Sequence, residues 1–426
     1  MDIKSKDCKV GIIGLGYVGL PLAILCAKKG LQVIGFENNK EKCNLLLSGK
    51  SYITDIDDEE IMRVIADHHQ LNVAYNYDLM PQCDIIIICV PTPLDENKDP
   101  DYSFLYKAID TIKHFIRKEQ LIIVESTLVP TTSRNIILPI LEESGLKAGK
   151  DFFFSFSPER IDPGNEFYKI EKTPKLVSGY SKLCTEKACQ FYNEIGVTPY
   201  PVSSLEVAEM SKILENTYRD VNIALINEMA QICKLYDINI WNVIEAAASK
   251  PFGFNAFYPG PGVGGHCIPK DCTFYTCLAR EKDVKASLAE CARWINDQMP
   301  DYIVSRIKML LSNVNKSIKD SSILILGITY KKDVNDVRES PSIKIINLLL
   351  ELGAKVSYHD PFIKKLNTDY KQLNSVVFED ICISDADCIV LSVAHNCYKD
   401  LNYPEGKIVF DLTNSIQNLS VGLNKL

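Results

Sequence analysis

The chain of 426 residues contains no apolar run that approaches the roughly 20 residues of a membrane helix, so no membrane partner is expected. It also lacks a basic excess. Lys and Arg number 47 against 55 Asp and Glu, a net charge of −8, which argues against nucleic acid, whose phosphates need a cationic face. There is no CxxC pair, and the fifteen cysteines are odd in number and scattered. The opening "MDIKSKDCKVGIIGLG" does not read as a signal peptide, so the cysteines read as reduced thiols of a cytoplasmic protein. Cys267, Cys272 and Cys277 do cluster, but four residues fill each gap and no second ligand pair is evident, so no metal is expected. Low-complexity segments and short repeats are absent too. What remains is an ordinary globular composition, 46% hydrophobic and 24% charged, long enough for two or three domains.

Short β-rich runs alternate with helical stretches in the first half: "KVGIIG" (9–14), "QVIGFE" (32–37), "DIIIICV" (84–90) and "LIIVES" (121–126). Continuous apolar runs of this length read as parallel strands buried on both faces. Ser203 to Leu235 has neither proline nor glycine and reads as one long helix, with Ser203 and Glu206 as its capping box. A second helical stretch covers about 286–312. Alternation then resumes with "SILILGIT" (322–329), "KVSYHD" (355–360), "DCIVLSV" (387–393) and "KIVFDLT" (407–413). The expected fold class is α/β: two doubly wound domains, 1–200 and 313–426, joined through a helical domain at 201–312 that contains a long spine helix.

Gly14-x-Gly16-x-x-Gly19 stands between the first strand and the first helix. That pattern gives a tight turn, room for a pyrophosphate and close helix–strand packing, with Tyr17 and Val18 inside the turn. Glu37 ends the second strand, where an acid holds ribose hydroxyls and repels a 2′-phosphate, so NAD is expected over NADP; Lys42 tempers the preference. Thr92 and Thr127 fall at strand ends, on the edge where such sheets bind ligands. The second α/β domain lacks the glycine triplet and is expected to bind something other than a dinucleotide.

Lys212, Asn216 and Arg219 share one face of the spine helix, within about 60° at 100° per residue. They read as a solvated stripe or as a group that stabilises a developing oxyanion. "YPGPGVGGHCIPKDC" (258–272) surrounds Cys267 with glycines at 260, 262, 264 and 265, so that backbone amides can converge on a ligand. A thiol near a helix N-terminus or a lysine is activated. Asp271 reads as a helix cap or as the group that orients a water, and His266 as a substrate-contacting or structural residue. NAD together with a reactive cysteine suits oxidation of an aldehyde to an acid through a hemithioacetal and a thioester.

These motifs, with "PTPLD", "ESTLVP", "SPERIDPG", "EMSKILENTYRDVNIALINE" and "GITYKKDVNDVRESPS", resemble the nucleotide-sugar 6-dehydrogenase family, which includes UDP-glucose and GDP-mannose dehydrogenases, nearly end to end. The stretch "KPFGFNAFYPGPGVGGHCIP" is most similar to the branch acting on UDP-N-acetylhexosamines, UDP-N-acetylglucosamine above all. The resemblance implies two Rossmann-like domains joined by a long central helix, and a homodimer or higher homo-oligomer. It implies oxidation of the sugar C6 alcohol to a carboxylate, supplying a surface polysaccharide precursor. Cys267 is then the nucleophile, Lys212 and Asn216 the oxyanion and proton-handling pair, and Asp271 the residue that helps activate water. Glu159 and Thr127 would support acid–base chemistry. Arg160, Ile161, Arg219, His266 and the loop containing Tyr258, Gly260, Gly262 and Gly264 would surround the UDP-sugar. Lys331 would approach the substrate phosphates and Arg338 the cofactor. The chain departs from the family pattern at Glu37, where aspartate is commoner, at Lys42, where arginine is common, and at Cys272, which replaces a frequent proline.

Two rival readings remain at this point. A two-electron β-hydroxyacid dehydrogenase also pairs an NAD domain with Lys and Asn four residues apart, but does not need the cysteine loop. A non-catalytic NAD-responsive binding protein would not need the set Thr127, Glu159, Lys212, Asn216, Cys267 and Asp271.

Overall fold

The computed structural model describes the chain except residues 1–7, 54–55, 68–69, 163, 166, 266–267, 379–385, 402, 404–405 and 418–422. The chain divides into two compact units, 1–215 with 273–281, and 216–272 with 282–426.

The first unit is built on an eight-stranded sheet of order β3-β2-β1-β4-β5-β6-β7-β8. Its strands are β1 Lys9–Ile13, β2 Gln32–Phe36, β3 Leu71–Ala74, β4 Ile85–Ile88, β5 Leu121–Val124, β6 Phe153–Phe156, β7 Lys175–Gly179 and β8 Pro199–Pro201. The first six are parallel; β7 runs antiparallel to β6 and pairs in parallel with β8. The apolar runs read from the sequence are these strands, trimmed by a residue or more at their ends. Alternate side chains feed two cores: Val10, Ile12, Ile85, Ile87 and Ile123 on one face, Ile13, Ile86, Ile88, Ile122 and Val124 on the other. Each fully buried aliphatic stabilises by about 1.5–3 kcal/mol, which is why four consecutive isoleucines in β4 specify a central strand.

The second unit holds a parallel sheet of order β10-β9-β13-β14-β15. These strands are β9 Ser322–Leu326, β10 Lys355–His359, β13 Cys388–Leu391, β14 Ile408–Asp411 and β15 Leu423–Lys425; a hairpin of β11 Lys365–Asn367 and β12 Gln372–Asn374 intervenes in the chain. The helix Ser287–Ser312 buries Met299, Ile303, Ile307 and Leu311 against one face.

The spine helix runs Leu205–Leu235. Its cap differs from expectation. Ser204, one residue later than Ser203, accepts the Val207 N–H at 3.3 Å, and Glu206 instead pairs with Arg134 at 2.5 Å. An aspartate in the left-handed region, Asp237, ends the helix, and the Ile238 N–H returns to the Cys233 carbonyl at 2.9 Å, a Schellman closure without glycine. No described helix is long and apolar enough to cross a membrane.

Candidate active site

In the first unit the chain leaves β1 through Gly14, whose φ is +87° and whose N–H bonds the Phe36 carbonyl at 2.8 Å. A Cβ at Gly14 would lie 2.7 Å from the Cys89 carbonyl oxygen, and one at Gly19 would lie 1.9 Å from the Gly14 carbonyl oxygen. These two glycines are demanded by the protein's own packing. Gly16 is not: a Cβ there meets nothing within 4 Å, so its missing side chain leaves room for a ligand. Glu37 Oε2 accepts the Leu15 N–H at 3.2 Å and Oε1 accepts the Asn39 N–H at 3.0 Å, which sets the carboxylate against the turn. Tyr52 donates its hydroxyl to the Leu15 carbonyl at 2.5 Å, and Lys42 Nζ stands 5.2 Å over the Tyr52 ring. The turn, the helix Gly19–Lys28 beyond it and the acid together fit a dinucleotide.

Along the same carboxyl edge, Thr92 Oγ1 donates to the Thr127 carbonyl at 2.9 Å, so these two predicted residues are neighbours. Glu159 follows β6. Its Oε1 accepts the N–H groups of Arg160 (2.7 Å) and Ile161 (2.6 Å), and its Oε2 accepts Lys175 Nζ at 2.7 Å. Burial would raise the Glu159 carboxyl, but Lys175 and these N–H donors overcome it and hold the carboxyl below its ordinary range. The Arg160 guanidinium is engaged by Glu215 at 2.7 Å and the Pro174 carbonyl at 2.7 Å. Lys212 is buried.

In the second unit Asn216 Nδ2 donates to Asp271 Oδ2 at 2.5 Å, and both side chains are buried. The spine helix and the helix Ile268–Arg280 are thereby tied together at two residues chosen from the sequence. Asp271 is no cap. It sits inside the first turn, because the helix starts upstream with Pro269 in its opening positions, where a fixed φ suits the first turn. Asp271 Oδ1 has no hydrogen-bond partner among the described residues and lies 3.6 Å from Lys270 Nζ. Such a carboxylate oxygen is an open acceptor. Arg219 is exposed, unlike Lys212 and Asn216 on the same helical face. His266 and Cys267 lie outside the described residues.

The glycine loop serves a purpose the sequence did not reveal. A Cβ at Gly262 would lie 2.8 Å from the Asn296 carbonyl oxygen, and one at Gly264 would lie 2.8 Å from that of Glu339 and 2.9 Å from Pro341. The Gly265 N–H bonds the Arg338 carbonyl at 3.0 Å. Gly262 therefore makes room for the Asn296 carbonyl, Gly264 for the "RESPS" segment and Gly265 for the Tyr330 ring; of the four, only Gly260 faces open space. The Gly260 N–H is held by Asn227 Oδ1 at 2.9 Å, and Asn227 bonds Asn296, which in turn donates to Asp220. Tyr258 stacks on Trp241 with ring centroids 5.8 Å apart. Lys331 follows β9, its carbonyl accepting from Thr329 Oγ1 at 2.9 Å, and Arg338 is paired with Asp336 at 2.7 Å.

Sequence reasoning missed Glu125, Lys175, Asn227 and Asn296. The available signal was a charge set directly against buried strand residues, as in "LIIVES" and "PKLVSG".

Residues 8–196, 206–298 and 324–418 match, in turn, the NAD binding domain, the central domain and the UDP binding domain of the UDP-glucose/GDP-mannose dehydrogenase family. The chain is 36% identical over 431 residues to a UDP-N-acetyl-D-mannosamine dehydrogenase of Methanococcus maripaludis, covering 98% of this chain and 94% of that one. It is 34% identical over 398 residues to a UDP-N-acetyl-D-glucosamine 6-dehydrogenase of Pseudomonas aeruginosa, covering 93% and 92%. The structure of a UDP-D-ManNAc dehydrogenase from Pyrococcus horikoshii superposes with a TM-score of 0.89 at 31% identity, covering 98% of each chain.

Proposed function

From the premise that this chain belongs to the UDP-glucose/GDP-mannose dehydrogenase family of NAD-dependent UDP-sugar 6-dehydrogenases, we propose that it oxidises the C6 hydroxyl of a UDP-N-acetylhexosamine to the carboxylate. The observation that carries the reading is the buried Asn216–Asp271 hydrogen bond, which leaves one carboxylate oxygen open beside the start of the helix that follows residue 267.

When bound at the turn formed by Gly14, Gly16, Gly19 and Glu37, NAD⁺ would supply the hydride acceptor for two successive oxidations. The protein does the rest. Lys212 and Asn216 stabilise charge on the C6 oxygen and manage its proton during alcohol oxidation. The Cys267 thiolate then adds to the aldehyde carbon, and the oxygen of the resulting hemithioacetal is held by the same pair. Loss of hydride from that carbon leaves a thioester. Asp271 accepts a proton from the water that attacks it, releasing the uronate and restoring the thiol. Thr127 and Glu159 orient water at the sheet edge. Arg219, His266, Tyr258 and Gly260 line the sugar nucleotide, Lys331 neutralises its phosphates, and Arg338 acts toward the cofactor.

We put the gluco epimer first, on the "KPFGFNAFYPGPGVGGHCIP" stretch. The manno epimer is the second reading, supported by the identity to the Methanococcus protein and the likeness to the Pyrococcus structure. Initial rates on UDP-N-acetylglucosamine, its manno and galacto epimers and UDP-glucose rank them. Two NADH per sugar are expected; one NADH with released aldehyde overturns the four-electron scheme. A second copy of this chain is the expected partner. Leu214, Tyr218, Leu225 and Ile232 are all exposed along the spine helix at near-heptad spacing. Light scattering coupled to gel filtration tests that.

A further inference from the structure

A charge cluster lies inside the first unit, away from bulk water. Lys175, which opens β7, is 4% exposed, and Glu125, which follows β5, is 1% exposed. Lys175 Nζ lies 2.9 Å from Glu125 Oε2 and 2.7 Å from Glu159 Oε2. Tyr192 donates its hydroxyl to Glu125 Oε1 at 2.6 Å. Packing does not require this arrangement, since apolar residues of similar volume are often at least as stable as a buried ion cluster.

We propose that Lys175 is a positioning residue that keeps Glu159 a fixed anion at the sheet edge, and that Glu125 is the member of the cluster that takes up and releases the proton. The inference deepens the reading of Glu159 as a water-orienting group and rests on it.

With both carboxylates ionised, the cluster holds two negative charges and one positive. An uncompensated buried charge is costly, so a single added proton is favoured. It goes to the carboxylate with fewer donors. Glu159 receives Lys175 and the N–H groups of Arg160 and Ile161. Glu125 receives Lys175 and one phenol, and a phenol can reverse and accept. Burial, only partly offset by Lys175 and reinforced by Glu159, pushes the Glu125 carboxyl up to about 7. The other titratable groups that face Glu125 are Cys26 on the helix Gly19–Lys28, Cys89 after β4 and Tyr192 on the helix Lys182–Glu194. Burial raises all three, so they stay neutral while Lys175 stays charged. As pH falls through about 7, Glu125 gains its proton and leaves Lys175 to Glu159 alone, so the Glu159 anion persists into acid.

Two measurements test this on the full chain. In the free protein, ¹³C-carboxyl NMR is expected to show a glutamate titrating near pH 7 that disappears in Glu125→Gln, while the Glu159 signal stays ionised below the ordinary glutamate range. In turnover, the acid limb of kcat is expected to move up by about one pH unit or more in Lys175→Met, and to return in Lys175→Arg, with both KM values within about twofold. The absence of a glutamate titrating near neutrality overturns the proposal. So does an acid limb in Lys175→Met that coincides with the native one, or a loss of kcat equal at every pH. A protein that oxidises no UDP-sugar defeats the functional reading instead, and the NMR titration still judges the cluster. It also decides alone if Lys175→Met does not fold.

Discussion

Gly14 after β1 and Gly327 after β9 hold the same place in their two sheets, with φ of +87° and +78°. Each donates its N–H to the last residue of the adjoining strand, Phe36 at 2.8 Å and His359 at 2.9 Å. Each is followed by a residue whose N–H is taken by an acid just beyond that strand: Leu15 by Glu37, Ile328 by Asp360. The acids then differ. Glu37 accepts one further N–H, from Asn39, and keeps lone pairs open. Asp360 also accepts the N–H groups of Thr329, Phe362 and Ile363 and faces His395 Nε2 at 3.1 Å. One fold thus yields an acid free to bind a ligand in the first unit and an acid fully used to brace its own loop in the second. The brace orders the segment that leads to Lys331.

The sharpest way to break this comparison is Asp360→Ala. It would leave two buried and two part-buried N–H groups without their acceptor, and His395 Nε2 with Thr329 Oγ1 alone, and should cost about 3–5 kcal/mol of stability, seen by calorimetry as a lower Tm. The pH dependence has a definite sign. Burial would raise the Asp360 carboxyl, but His395 and the backbone donors win and hold it below the usual range. Its contribution is therefore present above the unfolded value and is lost as pH falls through the depressed folded value. Asp360→Asn should flatten the acid end of the stability curve. An unchanged curve would show that the brace is not electrostatic.

Gly16→Ala should do the opposite. With nothing within 4 Å of the new Cβ, Tm should stay within about 1 °C, while KM for NAD rises by roughly tenfold or more, because the methyl fills the space the pyrophosphate needs. A Tm drop without a KM change would assign Gly16 to packing, like its neighbours Gly14 and Gly19. Glu37→Ala should come next, removing hydrogen bonds to ribose worth about 1–2 kcal/mol, or roughly tenfold in NAD affinity, and weakening discrimination against NADP.

How much of this was legible follows from the range of each signal. The strands, the spine helix, the glycine triplet and Glu37 are written in local periodicity and spacing, and the structure places them where that spacing puts them. Asp360 was visible only as the last letter of "KVSYHD", because its partners Ile328 and His395 are 32 and 35 residues away. The same limit hid the Glu125–Lys175 pair, 50 residues apart. It also hid the reason for Gly262 and Gly264, whose neighbours belong to a segment far along the chain. The box spacing pairs Ser203 with Glu206, whereas the competing attraction of Arg134 for Glu206 is tertiary. That pairing holds Glu206 down to about 2, mainly through the Arg134 hydrogen bond.

The smallest effect should come from Lys42, and it bears on why the first unit selects its cofactor. In a cofactor site at this turn Glu37 would repel a 2′-phosphate, while Lys42, held over the Tyr52 ring beside the same turn, would attract one. The two charges therefore oppose each other in NADP discrimination but not in NAD binding, where there is no 2′-phosphate to feel them. Lys42→Ala should raise the ratio of kcat/KM for NAD over NADP by about two- to fivefold, as expected for an interaction of roughly 0.5–1 kcal/mol at a partly exposed site. Lys42→Arg should lower the ratio, because a planar fork grips phosphate better than a point charge. Salt separates this charge effect from a packing effect. At 1 M ionic strength the Debye length shrinks to about 3 Å, so the Lys42→Ala change should fade there, whereas loss of stacking on Tyr52 would persist. A ratio unmoved at low salt would leave Glu37 as the residue that selects the cofactor without an opposing cation.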